Sequence, residues 1–329
     1  MAGEGVRISD IIVPEEFAPY VINKTTEKSA LFQSGIVAAD ERISIGSRTG
    51  GETVSMPFWN DIDGEAEELS DQKELTPGKI DAGQDFAVLQ ALGKAFKVND
   101  LSVSLSGADP VGAIGSRVAD FWSRNMQYRL ISSLTGVFAA ASMSGNVLDI
   151  SGLTTNSGKD AIISKGTFAD AVFKLGDMFG ELSAVAMHSA TYSKLYKDDL
   201  LETIKGSDGQ PFPTYQGKRA IVDDGMPIPS AGVYVTYLFG AGAVGYSEGM
   251  PEVPAETQRL ALASADILVS RRHFVLHPRG IKWTGAKLVS SGDGDGGHPT
   301  RAELATGTNW VRVYQPKQIR IVAFKHKLA

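Results

Sequence analysis

The sequence predicts an α+β protein in which one very long helix is set among many short strands. Two observations carry that expectation. Residues 110–140 keep apolar side chains near helical spacing for about 30 residues, and much of the rest of the 329-residue chain reads as short β-branched runs punctuated by Gly, Pro and Asp. A third observation narrows the chemistry: the chain has no cysteine, which removes disulfides, thiolate metal sites, iron–sulfur ligation and cysteine nucleophiles together. With 43% hydrophobic and 21% charged residues the composition is that of an ordinary globular protein, long enough to bury a substantial core.

Residues 12–40 open with Pro14 and Pro19, which favour extended backbone, and become helix-compatible around Leu31, Phe32, Ile36 and Val37, with Gly35 interrupting. An extended arm with a short helix is expected. Ile43, Ile45, Val54, Met56 and Phe58 then alternate on either side of a Gly-rich turn, the signature of a β-hairpin. Strand-like residues lead directly into residues 61–74, which carry seven carboxylates and one lysine, Lys73, and residues 79–101 lead back out. An outbound ribbon, an acidic tip and a return limb follow from that order.

For the long helix, Asp109 can cap and Pro110 sits where a missing N–H costs nothing. Ile114, Val118, Phe121, Trp122, Leu130 and Leu134 recur along it, while Arg117, Asp120, Arg124 and Arg129 take other positions around it. At 1.5 Å per residue the element is about 45 Å long. Further on, Thr167 and Asp170 stand in a capping-box-like relation ahead of a helix carrying Phe168, Val172, Leu175 and Phe179 on one face. Residues 183–188 read as a buried strand, and Ser189 as the cap of a helix running through Leu201. Residues 217–229, 232–249, 266–283 and 309–326 add β segments, and no repeat of 20–50 residues points to a solenoid or propeller.

The chemical motifs each fail on a physical requirement. GAGAVG at residues 240–245 matches a dinucleotide fingerprint behind a strand, yet Pro251 and Pro254 stand where the pyrophosphate-binding helix should run. Close packing of a strand explains those small residues better. His273 and His277 are four apart in a β-rich segment ending at Pro278, with no glutamate placed for zinc hydrolysis. Gly158 and Lys159 precede Asp160, so there is no Walker motif, and Asp223 and Asp224 ahead of Gly225 are turn chemistry. In DIDG, Gly64 is fourth from Asp61 and not sixth, so a calcium loop does not close, although loose cation attraction stays an alternative. No cofactor, metal or catalytic residue is expected.

Charge is uneven. The net charge is −6, but residues 271–329 hold 11 Lys+Arg against 3 Asp+Glu, net +8, which leaves −14 for residues 1–270. Such a split suits contact between unlike parts of neighbouring copies. Arg271, Arg272, Arg279, Lys282 and Lys287 form the candidate basic strand, to face either a subunit or nucleic-acid phosphates without sequence preference. Residues 1–17 lack a secretory pattern, so synthesis and retention in a cytoplasm are expected. Apolar runs such as residues 233–239 fall far short of a bilayer span, so no membrane partner is expected either.

Several stretches in order, among them INKTTEKSALFQSGIVAAD, MPFWNDIDGEAEELSD, LTPGKIDAGQDFAVLQALGKAFKVNDL, MHSATYSKLYKDDLLE, GKRAIVDDGMP, VYVTYLFGAGAVGY and DILVSRRHFVLHPRGIKW, resemble the major capsid proteins of tailed bacteriophages, the Gp13-like group with the Hong Kong 97-type fold. That resemblance implies an N-terminal arm over residues 1–40, an extended loop over 41–100 lying across an adjacent subunit, and a peripheral domain with the spine helix over 101–164. An axial domain over 165–250 follows, and residues 251–329 supply strands returning to the peripheral domain and a C-terminal β segment. It implies self-assembly into hexamers and pentamers of an icosahedral or prolate head, a scaffolding protein and a portal as partners, and packaged double-stranded DNA held by non-specific contact. A decoration protein is a further candidate partner, and the virion, assembled in the host cytoplasm, is the location. Under it, Phe58 and Trp59 become apolar anchors of the loop, with Asp61, Asp63, Glu65, Glu67 and Glu68 seeking basic groups on the next subunit. The alternatives are an encapsulin-like nanocompartment shell on the same fold and, from GAGAVG alone, a nucleotide-dependent oxidoreductase.

Overall fold

The computed structural model describes residues 34–43, 53–60, 65–68, 81–99, 110–153, 161–205, 211–260, 262, 265–285 and 298–328. The arm before residue 34, together with Ile45, Asp61, Asp63, Asp109 and Lys287, lies outside the described residues. Among those described, two main sheets are joined by one long helix.

The first sheet is built on β13 (Ala265–Pro278), whose alternation places Leu268, Ser270, Arg272 and Phe274 inward. One edge of β13 pairs antiparallel with β4 (Gln90–Asn99), from Ala265 opposite Asn99 to Phe274 opposite Gln90. Its other edge is shared end to end by β12 (Ala255–Leu260) and β11 (Val244–Gly249). The short β1 (Val37–Ala39) adds in parallel to β11.

A hairpin leads into this sheet. β2 (Thr53–Trp59) pairs antiparallel with β3 (Ala82–Val88), in register from Thr53 opposite Val88 to Trp59 opposite Ala82. This corrects the expected pairing across the Gly-rich turn: residues 41–43 form a helical turn, and the partner of TVSMPFW lies beyond the acidic stretch. Ile43 is buried all the same, against Val54, Met56, Ala87, Leu89 and Val275. Its apolar character, which alternation assigned to a strand, serves a packing contact made by a helical turn.

The second sheet has the order β5 (Val147–Asp149), β16 (Ile321–Lys327), β10 (Val233–Gly240), β6 (Leu182–Met187), β9 (Lys218–Val222), β8 (Pro211–Tyr215) and β7 (Glu202–Lys205). The run VYVTYLFG is buried on both faces, as a central strand requires. Sheet membership thus cuts across the expected segments. Residues 147–149 and 321–327 join the sheet that holds residues 182–187 and 233–240, while residues 244–249 belong to the other sheet.

Helix α1 (Pro110–Ala139) is 30 residues long, as its periodicity predicts. Its first half packs Val118, Ala119 and Trp122 on Ala255 and Leu268 of the first sheet. Its second half packs Met126, Leu130, Leu134 and Val137 on Ala184, Tyr237, Phe239 and Ala323 of the second. One helix therefore fixes the two sheets to each other. On the second sheet's far face lie α2 (Lys165–Val172) and α3 (Ser189–Lys197), covering Val185, Met187, Leu238 and Phe324. Full burial of each large apolar side chain in these layers contributes about 1.5–3 kcal/mol.

Two helix starts differ from expectation. The capping box of α2 is Ser164 with Thr167, three residues earlier than the Thr167–Asp170 reading, and α3 is capped by His188, whose Nδ1 accepts from Ala190 N at 3.0 Å. Helix α3 ends at Lys197 and not Leu201. The expected face through Phe179 also breaks: the chain passes into 3-10 geometry over Phe173–Glu181, Gly176 takes φ 59°, and Phe179 is left exposed. A small ribbon of β14 (Ile281–Trp283) and β15 (Trp310–Arg312), with the single turn α4 (Arg301–Leu304), completes the structure.

Candidate inter-subunit surface

The β2–β3 hairpin is bound to its own body along its inner face. Along β2, period-2 alternation turns Val54 and Met56 into the body and Thr53, Ser55, Pro57 and Trp59 outward. Phe58 shares the inner face. Its ring lies over Gly83, the residue opposite it in register, where any Cβ would collide with the ring, and meets Tyr314 edge-on at 4.6 Å. The expected pair of anchors therefore splits, because consecutive strand residues point to opposite faces: Phe58 is held by its own chain, and Trp59, 75% exposed, is not. From β3, Asp85 is buried and accepts from Gly280 N at 3.1 Å. Its Oδ2 also lies 3.0 Å from His277 Nε2, at ion-pair distance but off hydrogen-bond alignment. Beyond Trp59, Glu65, Glu67 and Glu68 are exposed.

The candidate basic strand is largely compensated inside the chain. Arg271 pairs with Glu256 across β12 and β13 at 3.0 Å and also donates to Val253 O. Arg279 pairs with Asp40 at 3.1 Å, and Asp40 is also bonded by Arg42. Burial alone would raise the Asp40 carboxyl, but the Arg42 hydrogen bonds and the Arg279 charge outweigh it and hold it below the usual range. Arg272 is buried, 3% exposed, with Nε and Nη2 each 2.9 Å from Glu248 and the guanidinium over the Trp122 ring. It does not belong to an outward basic face. The signal was available: adjacent arginines on one strand must face opposite ways. Lys282, on β14, is half-buried.

The remaining motifs also have places. GAGAVG is the crossing between sheets, from the end of β10 to the start of β11, with no helix behind it. A Cβ on Gly240 would lie 2.7 Å from Glu181 O and from Arg320 Cβ, and one on Gly245 would lie 2.6 Å from Ile43 Cδ1. Close approach is what the small residues provide. His273 is half-buried, and burial and then the charge of His298 hold its pKa below the usual histidine value. Asp223 accepts from Gly225 N at 2.8 Å, and from Gln127 of α1, as a turn carboxylate. Among the described residues no group of three or more His, Asp or Glu is placed to hold a metal, and no helix is long and apolar enough to cross a membrane.

Sequence reasoning missed Arg129. It was assigned to the helix's other positions, yet it is buried, with Nη1 donating to Gln90 Oε1 and to Pro299 O, each at 3.0 Å. The spacing Trp122, Met126, Arg129, Ser133, Val137 continues the buried stripe in steps of four and three and was the available signal.

Comparison with known proteins adds the family. The family model described as "Major capsid protein 13-like" (Gp13-like) matches residues 22–229. Over 329 residues the chain is 53% identical to the major capsid protein of Bacillus phage SPP1, covering 98% of each chain. In fold it is similar to the capsid protein of Ralstonia phage GP4, with TM-score 0.62, 10% identity and 91% of each chain covered. The capsid of cyanophage P-SCSP1u gives TM-score 0.53 at 13% identity, covering 89% of this chain and 86% of that one.

Proposed function

Because the chain belongs to the Gp13-like family of bacteriophage major capsid proteins, and is a structural shell subunit of the Hong Kong 97-type fold, we propose that it builds hexamers and pentamers of a phage head through its acidic hairpin. The near-full-length identity to one phage's major capsid protein carries the shell reading over a nanocompartment. The hairpin's role is supported by its geometry. The hairpin is held to its own body along its inner face, through the Val54–Met56 cluster, Asp85 and Phe58, so its orientation is set before any neighbour arrives. Its far end presents Trp59 and the carboxylates of Glu65, Glu67 and Glu68 to solvent. Asp61 and Asp63 belong to the same acidic stretch by sequence.

The reaction supported is association, not chemistry: the protein works as a building block and not as an enzyme. A scaffolding protein, a portal and a decoration protein are its proposed partners, and assembly takes place in the host cytoplasm. Double-stranded DNA would be met through phosphates only, by side chains such as Lys282, Arg271 and Arg279, the last two at 38% exposure after pairing, and by Lys287. Neutralising Asp61, Glu65, Glu67 and Glu68 together tests the hairpin. Electron microscopy should show fewer or weaker shells while circular dichroism of the free subunit stays unchanged. Unfolding of the free subunit would place the acidic stretch in its own core and defeat the proposal.

A further inference from the structure

Near the base of the hairpin two cations stand without an anion among the described residues. Arg129 is 8% exposed, its Nη1 bonds go to neutral oxygens of Gln90 and Pro299, and its buried Nε has no partner. Arg301, at the start of α4, is exposed and lies over the Tyr128 ring at 4.8 Å. The two guanidinium groups are within electrostatic reach of each other: burial first, and then the Arg301 charge, pull the Arg129 pKa down to about 10. Every ion pair among the described residues engages other side chains, and none of them places a carboxylate on Arg129 or Arg301.

A buried guanidinium does not discharge by losing its proton in the physiological range, so the cost of holding the pair remains until an anion arrives. Gln90, which Arg129 touches, is at the hairpin's base, and the strands of the hairpin run about 20 Å before the acidic stretch begins. Cations beside Gln90 and carboxylates beyond Trp59 can meet head to tail between copies, the arrangement that closes into rings.

We propose that Arg129 and Arg301 form a socket for a carboxylate of the acidic hairpin end, Glu65 or Glu68, of a second copy of this chain. The inference rests on the shell reading above. A carboxylate fits better than a nucleic-acid phosphate because one deeply set cation flanked by one exposed cation presents a single-acid site and not a track along a backbone.

The test uses full-length chains assembled beside the wild type, with shells measured by sedimentation and electron microscopy and folding by circular dichroism. Arg301→Glu alone, and Glu65→Lys with Glu68→Lys, should each fold and give about tenfold fewer shells. Mixing those two variants, or combining the changes in one chain, should return the yield to within about threefold of wild type. If Arg301→Glu does not fold, Arg301→Gln should still lower the yield by about threefold. Wild-type yield from Arg301→Glu, or failure of the mixture and the combined chain to recover, overturns the socket while leaving the shell reading in place. Normal shells that fill poorly with DNA overturn it in favour of phosphate. A wild type that never forms shells removes the shell reading and the socket together.

Discussion

Both sheets pack on apolar side chains, but they differ in how much charge they bury. The seven-stranded sheet is packed on both faces by apolar side chains, with Tyr237, Phe239 and Ala323 under α1 and Val185, Leu238 and Phe324 under α2 and α3. The sheet built on β13 is also laced with charge: Arg272 with Glu248, Asp266 with Arg259, and Asp40 with Arg279. Apolar contact is non-directional, whereas a buried charge pair tolerates one alignment. A sheet that must hold a projecting hairpin at a fixed angle gains from the second kind of contact, even though such pairs add little net stability.

That contrast can be broken by mutation. The largest effect is expected from Arg272→Met, which strands the Glu248 carboxylate: about 3–5 kcal/mol lost in urea unfolding of the free subunit, with much of it recovered when Glu248→Leu is added. No recovery in the pair would mean that the ion pair itself supplies stability. In the apolar sheet, Phe324→Ala should also cost about 3–5 kcal/mol, but with no charged change able to restore it.

A third expectation is pH-dependent. His326, buried beside Thr236 at 2.9 Å, is held neutral by burial with its pKa lowered to about 4. Its unfolded value is about 6.5, so the unfolded chain binds the extra proton first as pH falls. Stability should be full above about pH 6.5 and decline toward pH 4, by on the order of 3 kcal/mol. Replacing His326 by Gln should flatten that slope in pH-stepped unfolding; an unchanged slope would assign it to other groups. The smallest effects separate the hairpin's two aromatics. Phe58→Ala should cost about 1–2 kcal/mol of subunit stability, and Trp59→Ala less than about 0.5, with any Trp59 effect seen in shell yield.

How much of this was legible in the sequence follows the range of each interaction. Helix α1 was readable to within a residue because its signal is repeated over 30 positions. Strands β2 and β13 were readable because alternation and β-branching are local. The partner of β2 was not, since a strand's periodicity says which face is apolar and nothing about which segment lies beside it. The cap of α2 was misplaced by three residues because Ser164 and Thr167 both suit the position and only tertiary packing chooses. At the candidate surface, the acidic stretch stood out by composition, while Trp59 was singled out only by its place on the loop that the resemblance implies. The buried charges were not legible, because Arg129 and Arg272 look like surface residues until their neighbours from distant segments, Gln90 and Glu248, are in place.

The continuity of β3 through Leu89 into β4 has a mechanical meaning. Tension applied at the hairpin's far end travels down β3 into β4, whose hydrogen bonds to β13 run crosswise to the pull over the whole span from Gln90 to Asn99. Those bonds are loaded in shear and share the force, instead of opening one at a time as in peeling. A subunit tugged by its hairpin should therefore keep its joint with the body intact.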